Sequence, residues 1–261
     1  MPEDLAGLIE SNVAEFLLTM GKIGGGRERA DAEVTWTAGG SPIGYHNAVL
    51  RCHASRARGR ALVEEWRTEL LSRSLPGSWH LSPTMRPHEL AEHLTQAGFD
   101  DGGEEPAMVA VLSDLSDTSS LADLEIARVR TRDDLAEYRG VLAAGFGEGH
   151  KEADWVASVF AKAGFAADGP WRHIVGRVGG EPVATASLLL TEATAGIYFV
   201  CTSPEFRRRG IGAAVTSAAM VEAARSGATH AVLGSSPMGH GIYERLGFRT
   251  IFSYRLFELD P

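Results

Sequence analysis

The chain has 261 residues, 44% of them hydrophobic and 23% charged, with a formal net charge of −9. That composition belongs to a globular protein able to bury one large core or two ordinary ones. An acidic surface is a poor partner for nucleic acid or an anionic membrane, and it suits attraction of a cationic amine. The start, Met1-Pro2-Glu3-Asp4, lacks the basic region of a signal peptide, and no apolar run reaches the ~18 residues of a membrane helix. A cytoplasmic location is expected. Leu5, Leu8, Ile9, Val13, Phe16, Leu17 and Met20 recur at helical spacing. Gly21–Gly26 ends that helix as a turn, without the Gly-Lys-Ser/Thr of a phosphate-binding loop. Strands are expected around Ala32–Thr37 and Tyr45–Cys52.

Arg56-Ala57-Arg58-Gly59-Arg60-Ala61 then opens a helix with Leu62, Trp66 and Leu70 on one face. Trp79–Leu81 reads as a strand, and Pro87 starts a helix that ends at Gly98-Phe99. His88 and His93 resemble a zinc-protease pair, but a spacing of five turns them roughly 140° apart on a helix, so no metal site is expected. Cys52 and Cys201 lie far apart, fit no disulfide or zinc spacing, and read as small buried hydrophobes. Met108–Leu112 and Ile126–Val129 are strand-like, and Ser113–Asp123 between them is a linker rich in Ser, Asp and Thr. Thr131 with Asp134 makes a capping-box helix start, carrying Leu135, Tyr138, Val141 and Leu142 inward. Asp154–Phe160 begins another helix. Arg172–Val178 and Pro182–Leu190 form a hairpin about Gly179-Gly180.

The stretch Ile197-Tyr198-Phe199-Val200-Cys201-Thr202, then a turn with Pro204, then Arg207-Arg208-Arg209-Gly210-Ile211-Gly212, organises the second half. It reads as an apolar strand, a turn and a glycine-opened helix. Glycines let a ligand approach the backbone, and the unpaired amides and dipole of a helix start favour an anion. With three arginines beside it, the stretch suits a pyrophosphate. A Rossmann loop would need its glycines straight after the strand, a third Gly or Ala where Val215 stands, and an acid at the next strand's end, where Gly234-Ser235-Ser236 stand instead. That last tripeptide also lacks the pattern of a nucleophile elbow.

Arg207-x-x-Gly210-x-Gly212 after a strand and a Pro-containing turn resembles the pyrophosphate loop of the GNAT superfamily of acetyl-CoA-dependent N-acetyltransferases. Tyr243-x-x-Leu246-Gly247-Phe248 resembles that family's closing segment, with a helix and the strand Ala231–Leu233 between the two motifs. The resemblance covers about residues 124–261 well and 1–112 loosely. In both halves a strand, a basic Gly turn, a helix, a strand, a helix and Gly-Phe follow in one order, and Gly59 to Gly98 nearly matches Gly210 to Gly247. The expected fold is therefore α/β with a mixed sheet, two GNAT-like halves in tandem. Residues 1–115 form the degenerate half and 124–261 the active one. The first half lacks the turn proline before Arg56 and places Leu94 where Tyr243 sits in the second, so a ligand at Arg56–Ala61 is the minor reading.

The resemblance implies acetyl transfer from acetyl-CoA to an amine of a small molecule or peptide. It places the pantetheine arm along the backbone of Val200, Cys201 and Thr202, with the Val200 amide as oxyanion donor. Arg207, Arg208, Arg209, Gly210, Ile211, Gly212 and Ala213 would hold the pyrophosphate. Ser236 stands where many relatives carry an Asn at the cofactor. Tyr243 is the expected general acid, its phenol protonated at neutral pH; the plain alternative is a core tyrosine beside Leu246 and Phe248. Gly196, Ile197 and Tyr198 offer no carboxylate as base, leaving Glu148, His150, Glu152, His173 or a water relay. The competing reading is a non-catalytic acyl-CoA-binding sensor of the same fold. A homodimer is left open by the apolar C-terminal strand Thr250–Leu259.

Overall fold

A computed structural model describes residues 4–115 and 121–261, so the centre of the Ser113–Asp123 linker lies outside the described residues. In chain order the elements are α1 (Leu5–Gly24), β1 (Arg27–Ala30), β2 (Val34–Ala38), β3 (Asn47–Cys52), α2 (Arg56–Ser72), β4 (Gly77–Leu81), α3 (Leu90–Gln96) and β5 (Asp100–Val111). There follow β6 (Leu124–Arg128), α4 (Arg132–Gly145), α5 (His150–Ala163), β7 (Trp171–Val178), β8 (Glu181–Leu190) and β9 (Thr194–Thr202). The last are α6 (Ile211–Arg225), β10 (His230–Gly234), α7 (His240–Arg245) and β11 (Arg249–Leu259).

The chain divides into two compact units, Met1–Asn12 with Ala107–Ile251, and Val13–Pro106 with Phe252–Pro261. Relative to a division at the linker, each unit takes a terminal strand from the other half of the sequence. In the larger unit the sheet runs β5-β10-β9-β8-β7-β6, antiparallel except for the parallel pair β9–β10. Helix α6 lies on one face, where Ile211, Val215, Ala219 and Met220 pack with Ile174, Ala186, Leu188, Ile197 and Leu233 into one core. Its alanines and glycine keep the helix slim and close to the strands. Helix α4 begins on the expected capping box, with Thr131 Oγ1 accepting from the Asp134 amide at 3.1 Å and the Asp134 carboxylate accepting from the Thr131 amide at 3.0 Å. Gly179 and Gly180 both have positive φ, as the two-residue hairpin turn between β7 and β8 demands.

In the smaller unit the sheet runs β1-β2-β3-β4-β11, with β3–β4 the parallel pair. Leu62, Val63, Trp66 and Leu70 of α2 bury against Val49, Trp79 and Phe257. The C-terminal strand therefore pairs within the chain, from Arg255 opposite Leu81 to Leu259 opposite Gly77. Strand β1 was not expected from sequence, because Arg-Glu-Arg-Ala has no apolar face. Tertiary ion pairs hold it: Arg27 reaches Glu69 at 3.2 Å and Arg29 reaches Glu65 at 3.1 Å, both on α2. Helix α3 starts at Leu90 rather than at Pro87, and Gly98 at φ +86° ends it.

Candidate functional site

The site begins where β9 and β10 part. Their parallel register covers Thr194, Ala195 and Gly196 against His230, Ala231 and Val232 and stops there, while β9 runs on to Thr202 beside β8. Two steps of β8, Thr185 to Ser187, face three steps of β9, Tyr198 to Cys201, which is a β-bulge. Phe199 sits in the bulge at φ +52°, and the Thr185 hydroxyl donates to its carbonyl at 2.9 Å. The bulge turns the backbone of Val200 and its neighbours away from regular pairing. Cys201 and Thr202 follow it. The Cys201 thiol points to the Val141 carbonyl on the α4 side, and burial pushes its pKa up to about 12, so only its backbone is available to a ligand.

The turn after β9 delivers the chain to α6. Gly210 is the N-cap in the left-handed region, φ +80°, and a Cβ there would make only an ordinary contact with the Leu121 side chain at 3.9 Å. No side chain caps the helix. The amides of Ile211, Gly212 and Ala213 have no acceptor among the described residues, as expected for an open first turn. A Cβ on Gly212 would meet the Thr202 hydroxyl at 3.4 Å, so strand end and helix start lie side by side. The three arginines differ in what they do. Arg207 is pinned, its Nε donating to the Thr202 carbonyl at 3.1 Å and its Nη2 to the Gly145 carbonyl at 2.9 Å. These bonds tie the turn to the end of β9 and to α4. Arg208 and Arg209 are exposed; Arg209 lies over the Phe206 ring at 4.9 Å and donates to the Glu205 carbonyl at 3.1 Å. The fit to a pyrophosphate is thus a matter of open amides and glycine backbone, with exposed positive charge beside them.

Tyr243 on α7 packs against Phe248 at a ring separation of 5.9 Å and joins the same core cluster that Val200 lines. Its hydroxyl has no hydrogen-bond partner among the described residues, and burial pushes its pKa up to about 12. Gly239 leaves room for the Tyr243 ring, since a Cβ there would lie 2.8 Å from it. Ser236 is exposed and its hydroxyl accepts from the Gly239 amide at 3.2 Å, which closes the turn ahead of α7. The candidate bases lie on the Gly147–Glu152 turn, which Phe146 joins to Phe199 at a ring separation of 5.6 Å, and on β7, and most of them have other partners. Glu152 is buried and accepts from the Glu148 amide at 3.2 Å, holding the Gly147–Gly149 turn. Glu148 is exposed and pairs with Lys151 at 2.9 Å; His150 is exposed at the start of α5. His173 is buried against Phe160 and Trp171, with Nδ1 2.7 Å from the Ser187 hydroxyl, which also meets Tyr138 at 2.7 Å. Burial, helped by the charge of Arg128, lowers its pKa to about 3, so it is neutral.

The smaller unit repeats the geometry and fills it. The β3–β4 register covers only Ala48 and Val49 against Ser78 and Trp79. Beyond that point Arg86 forms a parallel bridge with His53: its amide donates to the Cys52 carbonyl at 2.9 Å, and its carbonyl accepts from the Ala54 amide at 3.2 Å. The chain's own backbone lies along the end of β3. Helix α2 is capped by the Ser55 hydroxyl, which accepts from the Arg58 amide at 3.3 Å. Gly59 is inside this helix, where a Cβ would lie 2.5 Å from the Pro87 ring, so it is a packing glycine. Arg58 pairs with Glu33 at 2.9 Å and with Glu65 at 2.5 Å, and Arg56 with Glu89 at 3.4 Å. Arg56–Ala61 therefore matches the loop motif in sequence without its conformation. Sequence reading also missed Glu105, which receives the Tyr45 hydroxyl at 3.0 Å. Partly exposed at its edge but closely enclosed, it is pushed up to about 7 by burial. A lone Glu in a polar run carries no sign of this.

Residues 169–250 match the family model described as an acetyltransferase (GNAT) domain. A GCN5-related N-acetyltransferase from Kribbella flavida has a similar structure, with a TM-score of 0.71 at 18% identity over 95% of this chain and 95% of that one. A functionally unknown conserved protein from Staphylococcus epidermidis gives 0.68 at 17% identity, over 90% of this chain and 94% of that one. A tandem GNAT protein from the clavulanic acid biosynthesis pathway gives 0.61 at 14% identity, over 96% of this chain and 95% of that one. No curated protein matches the sequence. The chain carries a GNAT acetyltransferase domain in its C-terminal part, and its whole length has a fold shared with GNAT structures, a tandem one among them. This is an acyltransferase fold. No helix among the described residues is long and apolar enough to cross a membrane.

Proposed function

We propose that the protein is an N-acetyltransferase that uses acetyl-CoA and an amine of a small molecule or peptide. The observation that carries this reading is the meeting of the parted β9–β10 strands with the uncapped start of α6. In this reading the backbone of Val200, Cys201 and Thr202 lines the pantetheine arm. The amides of Ile211, Gly212 and Ala213 bind the pyrophosphate, with Arg208 and Arg209 adding charge-assisted contacts. Arg207 acts through the turn it holds, and Ser236 through the turn ahead of α7.

Acetyl-CoA supplies the acyl group as a thioester, and the amine N–C bond forms as the C–S bond breaks. The Val200 amide is assigned to the oxyanion, where a fixed donor matters most. Tyr243 is assigned to protonate the leaving sulfur. A half-buried phenol with its pKa raised to about 12 is a weak acid, but it holds its proton at neutral pH and so stays a donor. The acceptor's proton passes to solvent, since Glu152 and His173 are committed to buried contacts and β9 offers no carboxylate.

Calorimetric titration with acetyl-CoA and a thiol-release assay over a panel of amines test this reading. Tyr243→Phe should lower kcat about 100-fold and leave acetyl-CoA affinity unchanged. Loss of binding in that variant would make Tyr243 structural. Acetyl-CoA binding with no turnover of any amine would favour the sensor reading, which the missing strand carboxylate supports. No binding by the intact protein would end both.

A further inference from the structure

A cavity of about 340 Å3 lies in the larger unit between α6 and strands β6 and β7. This is the size of a small-ligand site. Leu124, Ile126, Ala218 and Val221 give it apolar walls, and Arg128, Glu222 and Arg225 are its charged lining. None of these residues belongs to the coenzyme site described above.

Among the described residues the charges around it do not balance. Arg128 Nη1 and Arg172 Nε both stand 3.5 Å from one oxygen of Glu222, so two guanidiniums share a single carboxylate at a loose distance. Arg172 is 7% exposed and its Nε makes no well-formed hydrogen bond, so this cation is nearly buried. Among the described residues Arg128 finds only the Ala167 carbonyl besides, at 3.3 Å. Arg225 is exposed and has no partner among the described residues. Arg128 is lowered in pKa, first by burial and then by the charge of Arg172, which is the response of a cation short of anions. Leaving buried positive charge uncompensated is costly, and a carboxylate entering beside it would relieve that cost.

We propose that this cavity binds a medium-chain fatty acid, with the carboxylate on Arg128 and Arg225 and the aliphatic tail along Leu124, Ile126, Ala218 and Val221. Both halves of such a ligand have a counterpart: the apolar walls exclude a small inorganic anion as the best fit, and the excess guanidinium charge selects against an aliphatic amine. Ala214, also in the lining, is one helical turn from Gly210, so the coenzyme site and this one must be separated by experiment.

The test is calorimetric titration of the full chain with octanoate and, as a control, octylammonium. Octanoate should bind saturably and octylammonium should not. Arg225→Gln should weaken octanoate about tenfold, the size of one charge-assisted contact, and Arg225→Glu should weaken it further. Ala218→Phe, which fills the cavity, should abolish binding. Saturating acetyl-CoA should leave octanoate affinity unchanged. The proposal is overturned by absence of saturable octanoate binding, by equal binding of octylammonium, or by competition with acetyl-CoA. It is also overturned if octanoate binds both Arg225 variants as it binds the parent. Those variants alter an exposed side chain, so they decide the matter even if Ala218→Phe fails to fold.

Discussion

In the larger unit β9 and β10 part after Gly196 and Val232, and the next helix opens on Gly210 with no side chain over its first amides. In the smaller unit β3 and β4 part after Val49 and Trp79, but Arg86 lies along the end of β3 and Ser55 caps α2. The two places have the same strand arrangement and opposite availability. One leaves backbone donors open beside a glycine turn, and the other satisfies its own donors within the chain. A parted strand pair is therefore not in itself a binding site. What decides is whether the protein completes the hydrogen bonds or leaves them to a ligand.

The sharpest way to break this comparison is Gly212→Asp. The backbone there tolerates a Cβ, at 3.4 Å from the Thr202 hydroxyl, but a carboxylate would sit on the amides meant for an anion. Acetyl-CoA affinity should fall at least about 100-fold by calorimetry, two charge-assisted contacts' worth, with the melting temperature little changed. An unaltered Kd would remove α6 from the site. The converse change, Gly59→Val in the smaller unit, should leave acetyl-CoA affinity alone. It should cost about 1–3 kcal/mol in urea denaturation, because its Cβ would press on the Pro87 ring at 2.5 Å. A loss of coenzyme binding without loss of stability would mean that α2 carries a site after all.

The smallest expected effect is in acid. His173 in the larger unit and His80 in the smaller are each lowered to about 3, mainly by burial, with Arg128 and His46 respectively adding to it. A histidine held below its unfolded value stabilises the fold above pH ~6.5, and that stability is lost as pH falls towards 3. Glu105 works the other way: raised to about 7, it stabilises the smaller unit most below its unfolded value and loses that contribution as pH rises through 7. Acidification from pH 7 to 5 should therefore lower amide protection factors, taken relative to the free-peptide exchange rate at each pH, in β7 and β8 more than in β3 and β4. Equal loss of protection in both would show that Glu105 does not titrate as its surroundings imply.

Much of the larger unit was legible because its signals are local. The capping box at Thr131, the Gly179-Gly180 hairpin and the Arg207–Gly212 turn each depend on residues adjacent in the chain, and each adopts the expected element. The helix periods of α1 and α2 were equally plain. The limits of local reading show at Arg56–Ala61, where the residues match a ligand loop but Gly59 serves Pro87 from a distant loop. They show again at β5, expected only from Met108 to Leu112. Its first part, Asp-Asp-Gly-Gly-Glu-Glu-Pro, has no strand pattern and becomes one beside β11, where Asp101 meets Arg255 at 2.7 Å. Among the candidate site residues, the roles of Arg208 and Arg209 were readable as exposed charge. That Arg207 would turn back onto Thr202 and Gly145 was not, since Gly145 belongs to a helix far upstream.

By itself, then, the sequence determined the kind of elements, the glycine-opened helix start and the tyrosine on the helix before the last strand, because backbone conformation, capping and periodicity act over a few residues. Only the tertiary structure decided which of two similar motifs stays open, which strands each compact unit takes, and where burial moves His173, Glu105 and Tyr243. Those outcomes depend on hydrogen-bond partners, charges and desolvation brought from far along the chain, and no short stretch of residues contains them.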